Sequence, residues 1–453
     1  MTLSQLAQEI DGDLLGEDVM FSNVSTDTRS LEKGDLYLAL VGENFDGNNF
    51  IADAQSKGAC GALVSRAIDS SIPLLRVDDT HCALGKLSSI ARRRSTAKVV
   101  ALTGSQGKTT VKEMLGSILA SAGPCLATEA NLNNTIGVPL TLLKIEERHQ
   151  YVVIEMGANS AGEIAFSVAA TKPDIALITN ASPAHIEGFG SLQGIVSAKG
   201  EIIDGLQLDG VVILNADDAH VHEWVARAGQ RRTVKFSYSN AAGDSHYFVS
   251  AVEELSDGTS RFNLHTPQGE TSLTLGFLGR HNILNAVAAS AAAIEAGATL
   301  NNVAAGLGNL DPVAGRLSRV PGMNGCSLID DSYNASPSSF FAAIDVMSGL
   351  GGQKILIMGD MKELGADTDS AHISVGEYAS KAAIDEFWAT GEKSRLAIDS
   401  YAGKGRHFES KEELITELKA ISNPELTVLI KGSRGAKMND VVNALRIDGE
   451  NQC

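Results

Sequence analysis

The chain has 453 residues, of which 43% are hydrophobic and 20% are charged, a composition that excludes fibrous and disordered proteins. At about 150 residues per domain, this length predicts about three domains, each able to bury its own core. The formal net charge of −18 argues against nucleic acid as a partner, because binding a phosphate backbone requires a positive field.

Three features of the sequence indicate the cellular compartment: the N-terminal residues, the apolar runs and the cysteines. The residues after Met1 lack a basic start and an apolar core, so we expect no secretory signal. The best membrane candidate, 283–298, contains Asn285 and Glu295 and is too short to cross a bilayer. Five dispersed cysteines without a Cys-x-x-Cys pair are typical of free thiols in a reducing compartment. We therefore expect a cytoplasmic protein without membrane insertion.

The first predicted unit, residues 1–82, is a small α/β domain. Short strands are predicted at 36–41, 61–65 and 73–77. The segment 42–49 between the first two strands is polar and rich in turn-forming residues, which predicts a loop.

The second predicted unit, residues 83–311, alternates apolar strands with helical stretches, which predicts a parallel sheet wrapped by helices. The predicted elements are strands at 99–103, 151–155, 174–179 and 211–215, with a helix at 110–122 after the first strand. Between 233 and 277, short alternating segments separated by turns predict an antiparallel meander added to this sheet. An alanine-rich helix is predicted at 281–297.

The third predicted unit, residues 312–453, repeats the α/β pattern and is expected to be Rossmann-like. Its apolar runs, 328–331, 355–360 and 428–432, each end in polar or glycine residues. Ligands of open parallel sheets bind beyond the carboxyl ends of the strands, so these ends are candidate binding positions.

The most informative motif is the segment Gly104-Ser-Gln-Gly-Lys-Thr-Thr, placed between a predicted strand and a predicted helix. Gly104 and Gly107 allow the backbone to approach a phosphate, and the first N–H groups of the helix face that anion. Lys108 adds a positive charge, and the Thr109 hydroxyl can bind Mg²⁺. We call residues 104–107 the phosphate loop, and we expect it to bind a nucleoside triphosphate.

This loop departs from the general P-loop, which has a glycine five residues before the glycine of Gly-Lys-[Ser/Thr]. Leu102 occupies that position here, and the first glycine is Gly104. A glycine-rich turn that binds nothing is therefore the alternative, which the flanking strand and helix disfavour.

Four further residues are candidates because of where they stand. Glu155 ends a buried strand, as carboxylates that serve Mg²⁺ do, and His185 follows the next strand. Arg316 lies just after the second unit, where its fork of donors could reach a phosphate held there. Lys199 lies on a predicted helix. Taken singly, each has an ordinary structural alternative: a strand-end acid, a core histidine, a linker arginine and a solvated lysine.

Seven motifs follow one another along the chain: Gly104-Ser-Gln-Gly-Lys-Thr-Thr, Glu155-Met-Gly-Ala, Asn180 with His185, Ala198-Lys-Gly-Glu, Gly279-Arg-His-Asn-Ile-Leu-Asn-Ala, Gly315-Arg and Asp330-Asp-Ser-Tyr-Asn-Ala-Ser-Pro. They occur in the order typical of Mur ligases, and the chain resembles that family over essentially its full length. The segments 131–142 and 358–365 are most similar to those of the members that add a dipeptide. The Asp-Asn-Pro-Arg motif typical of the sister enzymes that add the third amino acid is absent from the sequence.

The resemblance implies ATP and Mg²⁺ as cofactors and assigns roles to individual residues. It implies catalytic roles for Lys108, Lys199 and Arg316, and metal ligation by Thr109, Glu155, His185 and Lys199 as a carbamate. It implies ATP binding by Gly104, Ser105, Gln106, Gly107, Lys108, Thr109, Thr110, His281, Asn282, Asn285, Arg316 and Asp331. It implies binding of a uridine nucleotide by Ser25, Asp27, Arg29, Asn44, Phe45 and Gly47, and it places Lys431-Gly-Ser-Arg434 near the incoming dipeptide.

The implied substrates are UDP-MurNAc-tripeptide and D-alanyl-D-alanine, joined through an acyl phosphate, and we expect a monomer. Two alternatives stay open at this point. One is a ligase of the same fold that adds a different amino acid, and the other is a regulatory nucleotide switch without ligation. The Asn-Lys-x-Asp motif with which such GTPases read guanine is absent from the sequence.

Overall fold

The computed structural model describes residues 1–42, 44–183, 186–255 and 258–447. It contains three sheet-and-helix units in chain order, and the mixed α/β fold predicted from the sequence is confirmed. None of the helices in these ranges is both long and apolar enough to cross a membrane.

The first unit has a five-stranded sheet and a separate two-stranded hairpin. The helices are α1 (Leu3–Ile10), α2 (Ile51–Ser56) and α3 (Thr80–Arg94), and the strands are β1 (Asp13–Leu15), β2 (Val24–Ser25), β3 (Leu36–Leu38), β4 (Val41–Gly42), β5 (Phe45–Asp46), β6 (Gly61–Val64) and β7 (Leu74–Arg76). The order of the large sheet is β1-β7-β6-β3-β2. The predicted strand 36–41 is wrong beyond Leu38, because β4 pairs with β5 instead of continuing β3.

The second unit is built on a six-stranded parallel sheet of order β13-β12-β11-β8-β10-β9. Its strands are β8 (Lys98–Thr103), β9 (Cys125–Ala127), β10 (Tyr151–Glu155), β11 (Ile175–Ile178), β12 (Val211–Asn215) and β13 (Arg232–Phe236). The helices are α4 (Lys108–Ala122), α5 (Gly137–Leu143), α6 (Glu163–Thr171), α7 (Ile186–Phe189), α8 (Leu192–Asp204), α9 (Val221–Ala228), α10 (Arg280–Glu295) and α11 (Leu300–Gly308). Apolar cores lie on both faces of the sheet, so β8 is buried on both sides and fixes the loop that follows it.

The predicted antiparallel meander is wrong in its first strand. β13 joins the edge of the parallel sheet beside β12. Only β14 (Phe248–Glu254), β15 (Ser260–Thr266) and β16 (Gly269–Leu275) are antiparallel, and they form a sheet of their own. Its apolar residues Phe262 and Leu264 pack in the same core as α10.

The third unit has a six-stranded sheet of order β17-β18-β22-β19-β20-β21, with one antiparallel edge strand. Its strands are β17 (Ser318–Pro321), β18 (Ser327–Asp331), β19 (Gln353–Gly359), β20 (Glu386–Thr390), β21 (Lys404–Phe408) and β22 (Leu426–Lys431). The helices are α12 (Pro337–Ser348), α13 (Thr368–Ala379), α14 (Arg395–Asp399), α15 (Lys411–Ile421) and α16 (Asn439–Leu445). The last strand lies between β18 and β19, so the carboxyl ends of these three strands border one crevice.

The two junctions between units differ. The helix α3 begins before the predicted boundary at residue 82 and continues through it, packing on α1 and on α6. On the second unit, His81 stacks on Phe166 with 4.6 Å between ring centroids, and Arg92 Nε donates to Thr171 O at 3.0 Å. The third unit is joined through residues 309–317, which contain no helix or strand.

Candidate active site

Two glycines shape the phosphate loop between β8 and α4. Gly107 has φ +78 and precedes Lys108, and no side chain caps the first helical N–H groups. These N–H groups lack partners within the helix and carry the positive end of its dipole, so they form an anion site. A Cβ on Gly107 would lie 2.5 Å from Asn285 Oδ1, and one on Gly104 would overlap the Thr179 hydroxyl. Both positions therefore require glycine.

Lys108 reaches back from the start of α4 across the loop. Its Nζ donates to the carbonyl oxygens of Gly104 at 2.8 Å and Ser105 at 3.3 Å. Burial lowers the pKa of Lys108, the nearby Glu155 carboxylate opposes this effect, and the Arg316 guanidinium adds to it. A phosphate in the loop would favour the charged ammonium, because it supplies both an acceptor and a negative charge.

Asn180, which follows β11, supports the phosphate loop from the neighbouring strand. Its carbonyl oxygen accepts from Ser105 N at 3.0 Å, and its Oδ1 accepts from Gln106 N at 3.0 Å. Its Nδ2 donates to Gln106 O at 3.2 Å, and Thr179 Oγ1 donates to the same oxygen at 2.7 Å. Asn180 belongs to one of the seven motifs, but the sequence alone assigns it no individual role. Its position at the end of a strand beside β8 is the signal that could have identified this role.

Glu155 lies at the carboxyl end of β10, beside the loop. Its Oε1 accepts from Thr109 Oγ1 at 3.2 Å and from Asn133 Nδ2 at 2.7 Å. Its Oε2 is buried and has no hydrogen-bond partner among the described residues. Leaving a carboxylate oxygen buried without a partner is unfavourable, and a carboxylate with a hydroxyl is a donor set that suits Mg²⁺. The residues present therefore fit a magnesium ion. The sequence does not indicate that Asn133 contacts the Glu155 carboxylate.

Lys199, on α8, lines the same cleft as the phosphate loop, and only 3% of its surface is exposed. The ring of Phe189 lies 5.4 Å from its Nζ. Burial lowers the pKa of Lys199 to about 7, with a further contribution from the positive charge of Lys108. At neutral pH a large fraction of this amine is therefore uncharged and keeps the lone pair needed to attack carbon dioxide.

Arg316 reaches from the start of the third unit to the first turn of α4, next to the phosphate loop. Its Nη2 donates to Thr109 Oγ1 at 2.9 Å, and its guanidinium lies 4.3 Å from the ring centroid of Tyr333. A second bridge is formed by Gln106, whose Nε2 donates to Ser338 Oγ at 2.5 Å in the first turn of α12. The second and third units are thus in direct contact around the loop.

The residues of α10 that line the site form an uncharged wall. Asn282 Nδ2 donates to Leu278 O at 2.8 Å, and Asn285 Nδ2 donates to Asn282 Oδ1 at 3.0 Å. Burial lowers the pKa of His281 to about 4, and the charge of Lys431 contributes, so this imidazole is neutral at pH 7. Neutral hydrogen-bonding groups suit an uncharged aromatic base better than a phosphate.

Asp331, at the carboxyl end of β18, is buried and paired. Lys431 Nζ donates to its Oδ2 at 2.6 Å, and the Leu317 N–H donates to its Oδ1 at 3.2 Å. Burial raises the pKa of Asp331, and Lys431 opposes that effect. Each oxygen keeps a lone pair that a ribose hydroxyl can use.

A cleft of about 730 Å³ between the second and third units brings these groups together. This volume lies in the range of about 300–1,000 Å³ that is typical of sites for small organic ligands. The residues predicted from the sequence that line it are Gly104, Ser105, Gln106, Gly107, Lys108, Thr109, Thr110, Glu155, Lys199, His281, Asn282, Asn285, Arg316 and Asp331.

Family models match all three units of the chain. The Mur ligase middle domain matches residues 102–293, the glutamate ligase domain of Mur ligases matches 315–434, and the catalytic domain of the Mur ligase family matches 20–92. An Escherichia coli K12 protein named UDP-N-acetylmuramoyl-tripeptide–D-alanyl-D-alanine ligase is 46% identical over 451 residues, covering 99% of each chain. The chain belongs to the Mur ligase family. The resemblance inferred from the seven motifs is confirmed.

Solved structures of Mur ligases share the fold of this one. A crystal structure of MurF from Acinetobacter baumannii superposes with a TM-score of 0.91 at 36% identity, covering 98% of each chain. MurF from Thermotoga maritima in complex with ADP gives a TM-score of 0.85 at 26% identity, covering 93% of this chain and 96% of the other. The predicted three-domain α/β fold is therefore confirmed, and the use of ATP is supported.

The residues predicted to hold the uridine nucleotide of this Mur ligase lie on the first unit and do not line the cleft. Ser25 Oγ donates to Asp27 O at 2.9 Å, and Arg29 Nη2 donates to Asp27 Oδ2 at 2.7 Å. The hydrogen bonds from Arg29 lower the pKa of Asp27 to about 2. The Arg29 side chain is exposed although it pairs with Asp27, so an anion in solvent can reach its guanidinium.

The other members of that predicted group lie around the hairpin of β4 and β5. Phe45 is half-exposed and stacks on Phe50, with 5.2 Å between ring centroids, and Asn44 lies in the turn between the two strands. Gly47 packs so closely that a Cβ would lie 2.7 Å from Leu40 O. The exposed aromatic pair is a surface on which a flat base can stack.

The predicted metal ligand His185 lies outside the described residues. Within the ranges that the structure describes, no group of three His, Cys, Asp or Glu side chains is arranged to hold a metal ion. The candidate oxygen ligands are therefore those of Thr109 and Glu155.

Proposed function

We propose that this Mur ligase joins D-alanyl-D-alanine to UDP-MurNAc-tripeptide with cleavage of ATP to ADP and phosphate, giving UDP-MurNAc-pentapeptide for peptidoglycan precursor synthesis. The observation that carries this proposal is the similarity over 99% of both chains to a relative that bears the name of that reaction. The cleft between the second and third units supplies groups suited to the chemistry.

A carboxylate is a poor electrophile, so the reaction proceeds through an acyl phosphate. An oxygen of the terminal tripeptide carboxylate attacks the γ-phosphorus of ATP, the bond to the β-phosphate oxygen breaks, and ADP leaves. The dipeptide amine then attacks the acyl carbon, loses a proton, and displaces inorganic phosphate. Both steps bring anions together, so catalysis consists mainly of positioning and charge stabilisation.

The chain's own residues divide this work. The phosphate loop and Lys108 hold the nucleotide phosphates, and Arg316, which already reaches Thr109, stabilises the transferred phosphoryl group. His281, Asn282 and Asn285 lie near the adenine, and Asp331 binds the ribose. The first unit, residues 1–82, binds the uridine nucleotide through Ser25, Asp27, Arg29, Asn44, Phe45 and Gly47. The unit 83–311 binds ATP, and the unit 312–453 closes over it and the dipeptide.

Mg²⁺ supplies Lewis-acid stabilisation of the phosphate charges when bound. Thr109 and Glu155 would hold it, which is supported by the unpartnered, buried Glu155 Oε2. His185 and Lys199 as a carbamate would support a second ion. A carbamate turns this buried amine into an anion, and the lowered pKa of Lys199 favours the uncharged form that reacts with carbon dioxide. We further propose that the enzyme acts as a cytoplasmic monomer.

The decisive test is release of ADP from the purified full chain with UDP-MurNAc-tripeptide, in the presence and absence of D-alanyl-D-alanine. Tripeptides ending in lysine and in diaminopimelate are both tried, and single amino acids serve as control acceptors. We expect ADP and a UDP-MurNAc-pentapeptide only when the dipeptide is present. Ligation of a single amino acid would assign a different ligase reaction, and ATP binding without turnover with any acceptor would refute ligation.

A further inference from the structure

The segment Asp360–Leu364 follows β19 and forms part of the cleft wall on the third unit, where Lys362, Glu363 and Leu364 line the cavity. It contains no helix or strand. Glu363 has φ +65, a left-handed conformation that residues with a side chain adopt rarely. Such a segment does not stabilise its own conformation, so contacts with its surroundings must hold it.

The start of the segment is held by the loop that follows β22. Ser433 donates to Asp360 O through its N–H at 3.1 Å and through its Oγ at 2.6 Å. Asp360 Oδ1 also accepts from the Ser394 N–H at 2.8 Å. Because β19 and β22 are adjacent and parallel, their two loops form one rim at the carboxyl end of the sheet.

The middle of the segment is held by His372, which is fully buried on α13. Its Nδ1 lies 2.7 Å from Thr368 O, an oxygen that can only accept, so Nδ1 carries the proton. Nε2 therefore has a free lone pair, and it accepts from the Met361 N–H at 3.0 Å. Burial lowers the pKa of His372, which keeps the imidazole neutral and able to accept this bond.

This hydrogen bond has no substitute from solvent. Met361 is itself 2% exposed, so loss of the imidazole acceptor would leave its N–H buried and unpaired. Leaving such a group unpaired costs about 1–3 kcal/mol, which the segment can avoid by moving. The middle of the segment thus depends on one side chain, that of His372, which does not line the cleft.

The rim formed by the two loops carries cations that are available to a ligand. Lys362 and Arg434 line the cleft, and neither has an acidic partner among the residues that the structure describes. Lys362 Nζ lies against the backbone of Gly435, within 3.0 Å of where a Cβ would stand. The phosphate loop and the wall of α10 account for the nucleotide, whereas two unpaired cations suit a carboxylate. The acceptor dipeptide of the proposed reaction ends in one.

We propose that His372 is a positioning residue for the acceptor dipeptide: by accepting the Met361 N–H, it fixes the segment Asp360–Leu364 and with it the position of Lys362. This inference rests on the proposed function. It concerns binding of the acceptor, and not the phosphates of ATP.

Two polar substitutions separate the two hydrogen bonds of the imidazole. In His372→Asn, the side-chain amide can still donate to Thr368 O but does not reach the Met361 N–H. In His372→Gln, the terminal oxygen reaches the place of Nε2 and can accept from Met361. We expect the KM for D-alanyl-D-alanine to rise about tenfold in the asparagine variant, as the loss of one hydrogen bond implies, with KM for ATP unchanged. The glutamine variant should stay within about twofold of the native KM, the margin left by a preserved bond.

A measurement independent of activity accompanies the kinetics. Hydrogen exchange of the Met361 amide should be fast in the asparagine variant and slow in the native and glutamine chains. His149→Asn is the matched control, because His149 Nδ1 also accepts a backbone N–H, that of Glu146 at 2.9 Å, and His149 lies in the second unit and does not line the cleft. It should leave KM for the dipeptide unchanged.

The inference is overturned if the folded asparagine variant keeps the native KM for the dipeptide, or if KM for ATP rises equally. If the asparagine variant does not fold, a tenfold rise in the folded glutamine variant overturns it, and a native KM with a protected Met361 amide supports it. A native chain that does not ligate the dipeptide at all refutes the proposed function instead, so the two failures are distinct.

Discussion

Gly107→Ala tests the packing between the phosphate loop and α10. An alanine at φ +78 adopts a left-handed conformation, which costs about 1–2 kcal/mol. Its Cβ would also lie 2.5 Å from Asn285 Oδ1. Asn285 is buried and hydrogen-bonded to Asn282, so moving it aside costs a further ~1–3 kcal/mol. The sum of about 2–5 kcal/mol should lower the melting midpoint of the second unit by about 5–15 °C.

A matched glycine separates the two contributions. Gly162 also precedes a helix, with φ +88, and a Cβ there would meet nothing within 4 Å. Gly162→Ala therefore reports the left-handed conformation alone, about 1–2 kcal/mol.

The steric contribution is isolated by a double-mutant cycle measured by calorimetry. In an Asn285→Ala background the obstructing side chain is gone, so Gly107→Ala should cost no more than Gly162→Ala does. The expected coupling is about 1–3 kcal/mol, the steric part of the single-variant effect. If the two substitutions add within about 0.5 kcal/mol, the contact between Gly107 and Asn285 does not explain the requirement for glycine.

Three further outcomes are expected. Lys108→Ala should lower ligation on the order of a thousandfold with little change in melting midpoint, and near-normal ligation in the same assay would contradict its role. The pKa of Lys199, about 7, means that acidification protonates the amine and removes its lone pair, so bicarbonate should restore activity in CO₂-depleted buffer better at pH 8 than at pH 6. An equal response, or an unmodified lysine in electron density, would reject the carbamate. Ser338→Ala removes a hydrogen bond of Gln106 to the third unit and should raise KM for ATP about two- to tenfold. If neither this KM nor the arrangement of the units measured by small-angle scattering changes, the hydrogen bond does not hold the two units together.

Strands that are buried on both faces were the most predictable part of the fold. β8, β10 and β12 are continuous apolar runs, and a parallel sheet covered by helices produces that pattern. The edge strand β13 alternates in burial, which is equally compatible with a parallel or an antiparallel neighbour. Periodicity therefore located the strand but not its partner.

The residues of the candidate site also fall into two groups, those that the sequence predicts and those that it does not. Residues that carry charge at the end of a strand or the start of a helix, such as Lys108 and Glu155, stand out in the sequence because the motif fixes their surroundings. Asn133 and His372 do not, because each acts through a single contact with an element that is remote in sequence or lies in a loop. Only the packed structure shows which backbone or carboxylate group each of them holds.

The continuous helix α3 limits how the three units can move. Separating the first unit from the second would break the stack of His81 on Phe166 and the hydrogen bond from Arg92 to Thr171. The third unit, in contrast, is joined to the second through the irregular segment 309–317. We therefore expect the first and second units to move as one body, so that the surfaces proposed for the two nucleotides keep their relative position. A substrate bound to the first unit would then keep its distance from the phosphate loop, while the third unit, which we propose to carry the acceptor, would move.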